Sequence, residues 1–198
     1  MSTTKRLRTG RRKPNTEDLD SLAGLFNQGC TAEAEILSKV LTKRFPEHGF
    51  AWKVLSVIHL EQKNYPEALH AAQRAMALLP EDAAVFNNLG TIFIRLERFS
   101  DAELNFRKAL ALTPKYAKAL ANLGTILRYK RKLIESEECC RRALEIEPRY
   151  TNAHIALGNA LELQNRLPEA QASYKAALTM SPDMPDLHTT LLHLLSLD

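Results

Sequence analysis

Few residues in this chain could do chemistry, and most of them stand where a packed interior would want them. An asparagine amide carries both a donor and an acceptor, so it can pair with a peptide backbone whatever the sequence of that peptide. Asn88 and Asn122 lie 34 residues apart, at the same place in a repeated pattern. His59 stands at the place held by Phe93, Leu127 and Leu161, and His154 and His188 at the place held by Trp52, Phe86 and Leu120. At such apolar positions an imidazole is expected to be packed and hydrogen-bonded, not to act as a base or a metal ligand. Cys139 and Cys140 are adjacent, a spacing that cannot put both sulfurs on one helix face, and Cys140 takes the place of Phe106 and Tyr174 as a small apolar filler. Gly90, Gly124 and Gly158 belong to close helix packing and form no phosphate-cradling loop. The carboxylates show no catalytic pairing. The expectation is a chain with no catalysis of its own, no cofactor, no metal and no small-molecule substrate.

The elements that carry these residues are punctuated by Pro46, Pro80, Pro114, Pro148 and Pro182, each 34 residues from the next. A fixed period of this length marks an array of helix-turn-helix units. Residues 15–48 form a degenerate first unit, in which Thr16 can cap a helix carrying Leu19, Leu22, Leu25 and Phe26. Gly29 breaks that helix, and a second runs from about Thr31 with Ala34, Ile36, Leu37, Val40 and Leu41 as its apolar residues. Full units follow at 49–82, 83–116, 117–150 and 151–184, and residues 185–198 supply a lone capping helix with Leu187, Leu191, Leu194 and Leu195. Pro66 opens a helix where its missing N–H has no partner to lose. Ala68, Ala72 and Ala75 recur at one phase and allow close approach of a neighbouring helix. Ser100 and Glu103 have the spacing of a capping box. Helices of about 12–14 residues are marginal alone, so stability must come from stacking.

Composition narrows the class further. The chain is 45% hydrophobic and 25% charged, ordinary for a packed domain, with a formal net charge of +4. That charge is uneven, because Lys5, Arg6, Arg8, Arg11, Arg12 and Lys13 stand without an acid among them, leaving a nearly neutral body behind a basic tail at 1–14. Such a tail can attract phosphate of nucleic acid or anionic lipid without reading sequence, or simply be solvated leader. No apolar segment follows the basic residues as a secretory signal would require, and no run of about 18 apolar residues could span a membrane. Cys30, Cys139 and Cys140 are odd in number and without metal-like spacing, which suits reduced thiols in a cytoplasmic protein.

The pattern of Phe86, Leu89, Gly90 and Phe93, then Ala102, Phe106, Ala109 and Pro114, with its copies at 117–150 and 151–184, resembles the tetratricopeptide repeat family. The resemblance covers residues 15–198. It implies an all-α fold, a right-handed superhelical solenoid whose concave groove is lined by the first helix of each unit and takes a protein or peptide. The positions that would line that groove are Lys53, Asn87, Asn88, Thr91, Arg95, Lys118, Asn122, Thr125, Arg128, Tyr129 and Asn159, with Val57 and Asn152 among them. Two further likenesses concern particular relatives. The stretches Leu19–Leu22, Arg44–Leu55 and Asp186–Leu192 resemble the repeat region of bacterial SPINDLY-like relatives of O-linked N-acetylglucosamine transferases. In those proteins an asparagine ladder holds extended peptides, Asn88 and Asn122 fall on it, and Val54 and Ala156 interrupt it. The chain stops at Asp198, so the transferring domain of that family is expected to be absent, leaving a scaffold or adaptor, or a truncated transferase. The carboxylate clamp of chaperone-binding relatives is matched by Lys53, Asn88 and Lys118 and missed at Val57 and Asn122. Bonding of the asparagines to neighbouring helix backbone is the competing expectation for them, and the terminal leucines could serve self-association.

Overall fold

The computed structural model of the chain describes residues 13–196, and the basic residues Lys5, Arg6, Arg8, Arg11 and Arg12, with Leu197 and Asp198, lie outside them. Among the described residues there are eleven α-helices and no strand, the all-helical repeat array that the sequence pattern implies. They fall into two compact units, one ending at Pro80 and one beginning at Glu81.

The first unit holds α1 (Thr16–Asn27), α2 (Thr31–Arg44), α3 (Gly49–Glu61) and α4 (Tyr65–Leu78). Asn15, not Thr16, caps α1, its side-chain oxygen accepting from the N–H of Asp18 at 2.8 Å. The core of this unit gathers Leu22, Ala34, Leu41, Phe45, Ala51, Val54 and Ile58. On α2 the buried face is Ala34, Ser38, Leu41 and Thr42, while Ile36 and Val40 are exposed. The apolar pattern of the degenerate repeat therefore reads one stripe too wide.

The second unit holds α5 (Ala83–Arg95), α6 (Phe99–Leu112), α7 (Ala117–Tyr129), α8 (Leu133–Ile146), α9 (Thr151–Leu163), α10 (Leu167–Met180) and α11 (Pro185–Leu195). Each of α5, α7 and α9 packs on the helix that follows it, α7 touches both α5 and α9, and α11 packs on α10. Ser100 and Glu103 make no capping box. The α6 cap is Arg98, without a side-chain cap bond, and Glu103 is occupied by Arg107 and Lys130 instead.

Both kinds of turn have a local cause. After each first helix the chain passes through the left-handed region at Gly29, Lys63, Glu97, Arg131 and Asn165, with φ of 74°, 62°, 57°, 60° and 59°. The paired bonds of a Schellman stop follow, for example Glu97 N–H to the Ile94 carbonyl at 3.0 Å and Arg98 N–H to the Phe93 carbonyl at 2.9 Å. Only the first of these positions has the residue that adopts this φ without strain. After each second helix the ladder proline follows the last cap residue directly, where it cannot continue a helix. The proline carbonyl is then reused. Trp52 Nε1 donates to that of Pro46 at 3.0 Å, and His154 Nε2 and His188 Nε2 lie 3.0 and 2.8 Å from those of Pro148 and Pro182. A carbonyl only accepts, so both imidazoles must carry their proton on Nε2. These two histidines are bonded but not buried. His59 is buried, yet its Nδ1 has no partner among the described residues.

Helix pairs are fitted by an exchange of size between two positions 16 residues apart. A Cβ added at Gly90 would come within 2.5 Å of the Phe106 ring, and one at Gly124 within 2.5 Å of Cys140 Sγ; Gly158 lies in the same way against Tyr174. Phe106, Cys140 and Tyr174 are fully buried. Where the first position is larger the second is smaller, as at Ser56 with Ala72 and Leu22 with Ser38, all buried.

Two outcomes are expected. Gly90→Ala should lower the unfolding free energy by about 1–3 kcal/mol through overpacking, and pairing it with Phe106→Leu should recover part of that loss in a urea titration. Glu97→Gly should raise stability by about 0.5–1 kcal/mol by relieving the left-handed backbone.

Candidate functional site

The side chains expected to face a groove sit on α3 in the first unit and on α5, α7 and α9 in the second. Lys53 lies half-buried on α3 with its ammonium 5.5 Å from the Phe50 ring centre. In the second unit the outcome differs residue by residue. Asn87 is only 1% exposed, so it is not an open rung of any ladder. Its Oδ1 accepts from Asn122 Nδ2 at 3.0 Å, joining α5 to α7. The residue one place on, Asn88, is half-buried and makes no side-chain hydrogen bond among the described residues. The amide pairing across helices thus runs from Asn122 to Asn87 and bypasses Asn88.

The hydroxyls of Thr91 and Thr125 donate to the carbonyls of Asn87 and Ala121, at 3.0 and 3.1 Å. Their donors are used inside their own helices. Tyr129 stacks on Phe99 with ring centres 5.3 Å apart and planes 10° from parallel, at the helix end. Arg128 lies over the Tyr129 ring at 4.3 Å. Asn159 is half-buried, its Oδ1 2.8 Å from the hydroxyl of Tyr174, which also lies 2.7 Å from Glu162 Oε2. Burial pushes the Tyr174 phenol up, and the Glu162 carboxylate reinforces this. The phenol therefore stays protonated and acts as a fixed strut under α9.

Carboxylates are consumed elsewhere. Glu103 on α6 accepts from Arg107 on its own helix and from Lys130 at the end of α7, the latter at 2.6 Å. Glu137 on α8 accepts from Arg141, and from Arg166 at 2.7 Å and Gln164 at 2.9 Å in the following turn. In the first unit Glu35 on α2 takes Lys39 and Gln62 in the same manner. A glutamate on the second helix is thus tied to the turn of the next repeat. The hydrogen bond from Lys130, opposed by burial and aided by Arg107, holds Glu103 below its ordinary value. Burial raises Glu137, but the bonds from Gln164, Arg141 and Arg166 outweigh it and leave that carboxyl lowered too.

The first helices show the reverse balance. Arg95 and Lys118 are exposed and Arg128 is half-buried, and none has an ion-pair partner among the described residues. The buried side-chain polar atoms of the second unit left without a partner are Asn87 Nδ2 and Arg128 Nε, both donors. The two thiols of α8 are held protonated. Burial raises Cys139 and pushes Cys140 up to about 12, far above the range of a reactive thiolate. Among the described residues no group of three or more His, Cys, Asp or Glu side chains could hold a metal ion. No described helix is long and apolar enough to cross a membrane.

Paired helices of similar length, small-to-large packing between facing positions of a pair and a proline between pairs define a helix-turn-helix repeat protein. The tetratricopeptide repeat family matches residues 34–84, 87–150 and 121–185, and the chain belongs to that family. Similar solved structures include TTC0263, a TPR protein of Thermus thermophilus (22% identity over 90% of this chain and 97% of that one, TM-score 0.74). PilW, a type IV pilus biogenesis factor, is 21% identical over 92% of this chain and 88% of its own, with a TM-score of 0.79. YrrB, described as a TPR protein with an unusual peptide-binding site, is 18% identical over 92% of each chain, with a TM-score of 0.69. At such identities the likeness is one of fold. No curated protein matches the chain by sequence.

The glutamate ties generate a pH dependence. Because Glu103 and Glu137 are lowered in the folded state, their contribution is complete above the ordinary value of 4.5 and is lost as pH falls below it. Urea midpoints followed from about pH 6 to about pH 3 should fall less steeply for Glu137→Gln than for the parent chain.

Proposed function

We propose that this chain is a protein-binding adaptor that takes an extended peptide on the first-helix face of its second unit, where α5, α7 and α9 lie side by side. The observation that carries the reading is the donor excess there. Asn88 makes no side-chain hydrogen bond, and Arg95, Lys118 and Arg128 have no ion-pair partner among the described residues, so the face presents donors that need acceptors. A peptide in extended form offers a carbonyl at every residue and meets that need. Asn88, Asn122 and Arg128 are the proposed contacts, with Lys118 and Arg95 supplying positive field at either end of the helices. Lys53, on α3 of the first unit, is a further proposed contact of that unit's own first-helix face. The peptide-binding site ascribed to YrrB supports the class of ligand. Three unpaired thiols support work in the cytoplasm.

The narrower reading is a substrate-selecting module of a glycosyltransferase system. It is supported by the sequence likeness of Leu19–Leu22, Arg44–Leu55 and Asp186–Leu192 to SPINDLY-like proteins.

Cross-linked capture from native cytosol, using the parent chain and the variant Asn88→Ala, Asn122→Ala, Arg128→Glu, tests both. With equal circular dichroism, partners should fall by about tenfold or more on the variant, as when a buried charged contact is removed. A nucleotide-sugar transferase among them would support the narrower reading. Unchanged partners would remove the first-helix face from consideration.

A further inference from the structure

The segment that opens α11 is built to hold its shape. Pro185 fills a first-turn position that needs no N–H, Met184 just before it is the N-cap, and the His188 ring is tied back to the Pro182 carbonyl at 2.8 Å. Met184 N–H also bonds to that carbonyl at 3.0 Å, and the Met184 carbonyl receives the N–H groups of Leu187 and His188. This fixed turn forms one side of a cavity of about 330 Å³ whose other side is α9. Leu187 is buried in it, Ile155 and Met184 are half-buried, and Asp183 and Asp186 are exposed at its edge. Asn159 lies on the α9 side.

The volume is at the lower end of the range of about 300–1,000 Å³ for ligand sites. It suits one large apolar side chain better than a cofactor. The Asn159 amide is held at one end by Tyr174, itself braced by Glu162. Because the phenol has one proton and a carboxylate only accepts, the hydroxyl serves Glu162 or Asn159 as donor but not both. With the proton toward Asn159 the amide oxygen accepts it, and with the proton toward Glu162 the amide turns so that its NH2 donates to the phenol oxygen; in both cases the opposite end of the amide is left for a backbone group of a ligand. Asp186 in the first turn of α11 favours the helix in any event. Asp183 lies before the cap residue, and neither aspartate has a cationic partner among the described residues. Their shared place on an apolar cavity is what helix capping leaves unexplained.

Resting on the peptide-binding reading above, we infer that the cavity between α9 and α11 is a specificity pocket for an apolar side chain flanked by lysine or arginine in the bound peptide. The apolar residue packs on Ile155, Met184 and Leu187. Its backbone pairs with Asn159. The basic neighbour meets Asp183 and Asp186, which line the cavity and have no cationic partner among the described residues.

Selection of random 12-residue peptides displayed on phage against the full chain tests the pocket. Selected sequences should be enriched in Leu, Ile, Phe or Met beside Lys or Arg. A selected peptide carrying fluorescein should bind Asp183→Asn/Asp186→Asn about tenfold more weakly by anisotropy, with a shallower dependence on salt. Asp183→Lys/Asp186→Lys should redirect selection toward acidic neighbours, a change that misfolding cannot produce. Selected peptides without the basic residue, or binding indifferent to the aspartate variants, would overturn the pocket. If such peptides are still lost on Asn88→Ala, Asn122→Ala, Arg128→Glu, the groove stands and only the pocket falls. If neither set of substitutions matters, both readings fall.

Discussion

The structure depends on how closely the second helix of each pair can approach the first. At Gly90 the absent side chain leaves room for the Phe106 ring, and at Gly158 for Tyr174, each wholly buried in the space a Cβ would fill. Small alanines on the second helices, Ala102, Ala109, Ala143 and Ala177, are fully buried as well. Once this spacing is set, the turns follow from backbone rules: a left-handed residue closes the first helix and a proline closes the second. Everything else hangs from this frame.

Polar groups are sorted by the same frame. The second helices carry glutamates that reach the turn of the next repeat, and they absorb Lys130, Arg141 and Arg166. The first helices of the second unit carry cations and amides with few acceptors to match. Glu162 is the exception, and it is engaged by Tyr174. In the proposed reading, the face with donors in excess takes backbone carbonyls and carboxylates, and the cavity edged by Asp183 and Asp186 takes the opposite charge. The proposed ligand is therefore read by charge along its length, with one apolar anchor.

Several features were legible in the sequence and several were not. Gly90 with Phe106, and Ala68 with Ala72 and Ala75, announce helix contacts because their sizes recur in phase. Cys140 reads as a core filler for the same reason, and it is one. The degenerate unit misled, since Ile36 and Val40 look like core and are exposed; with Leu22 in the place of glycine, α2 packs through Ser38 and Thr42 instead. Ser100 and Glu103 fit a capping pattern, but Lys130 offers Glu103 a charged partner from the next repeat, and a charge-assisted bond outweighs a neutral cap. Asn87 and Asn88 are neighbours in sequence with opposite fates, because 100° of helix rotation separates an interface from an open face.

The sequence by itself determined the repeat, the class of fold and the punctuation of its helix pairs. These follow from periodicity, proline and glycine, which act locally. Tertiary structure decided which asparagine pairs with which, which glutamates join successive repeats, and that Asn159, Asp183, Met184 and Leu187 share one cavity. Each of those depends on side chains brought together from different helices, at distances that no spacing along the chain encodes.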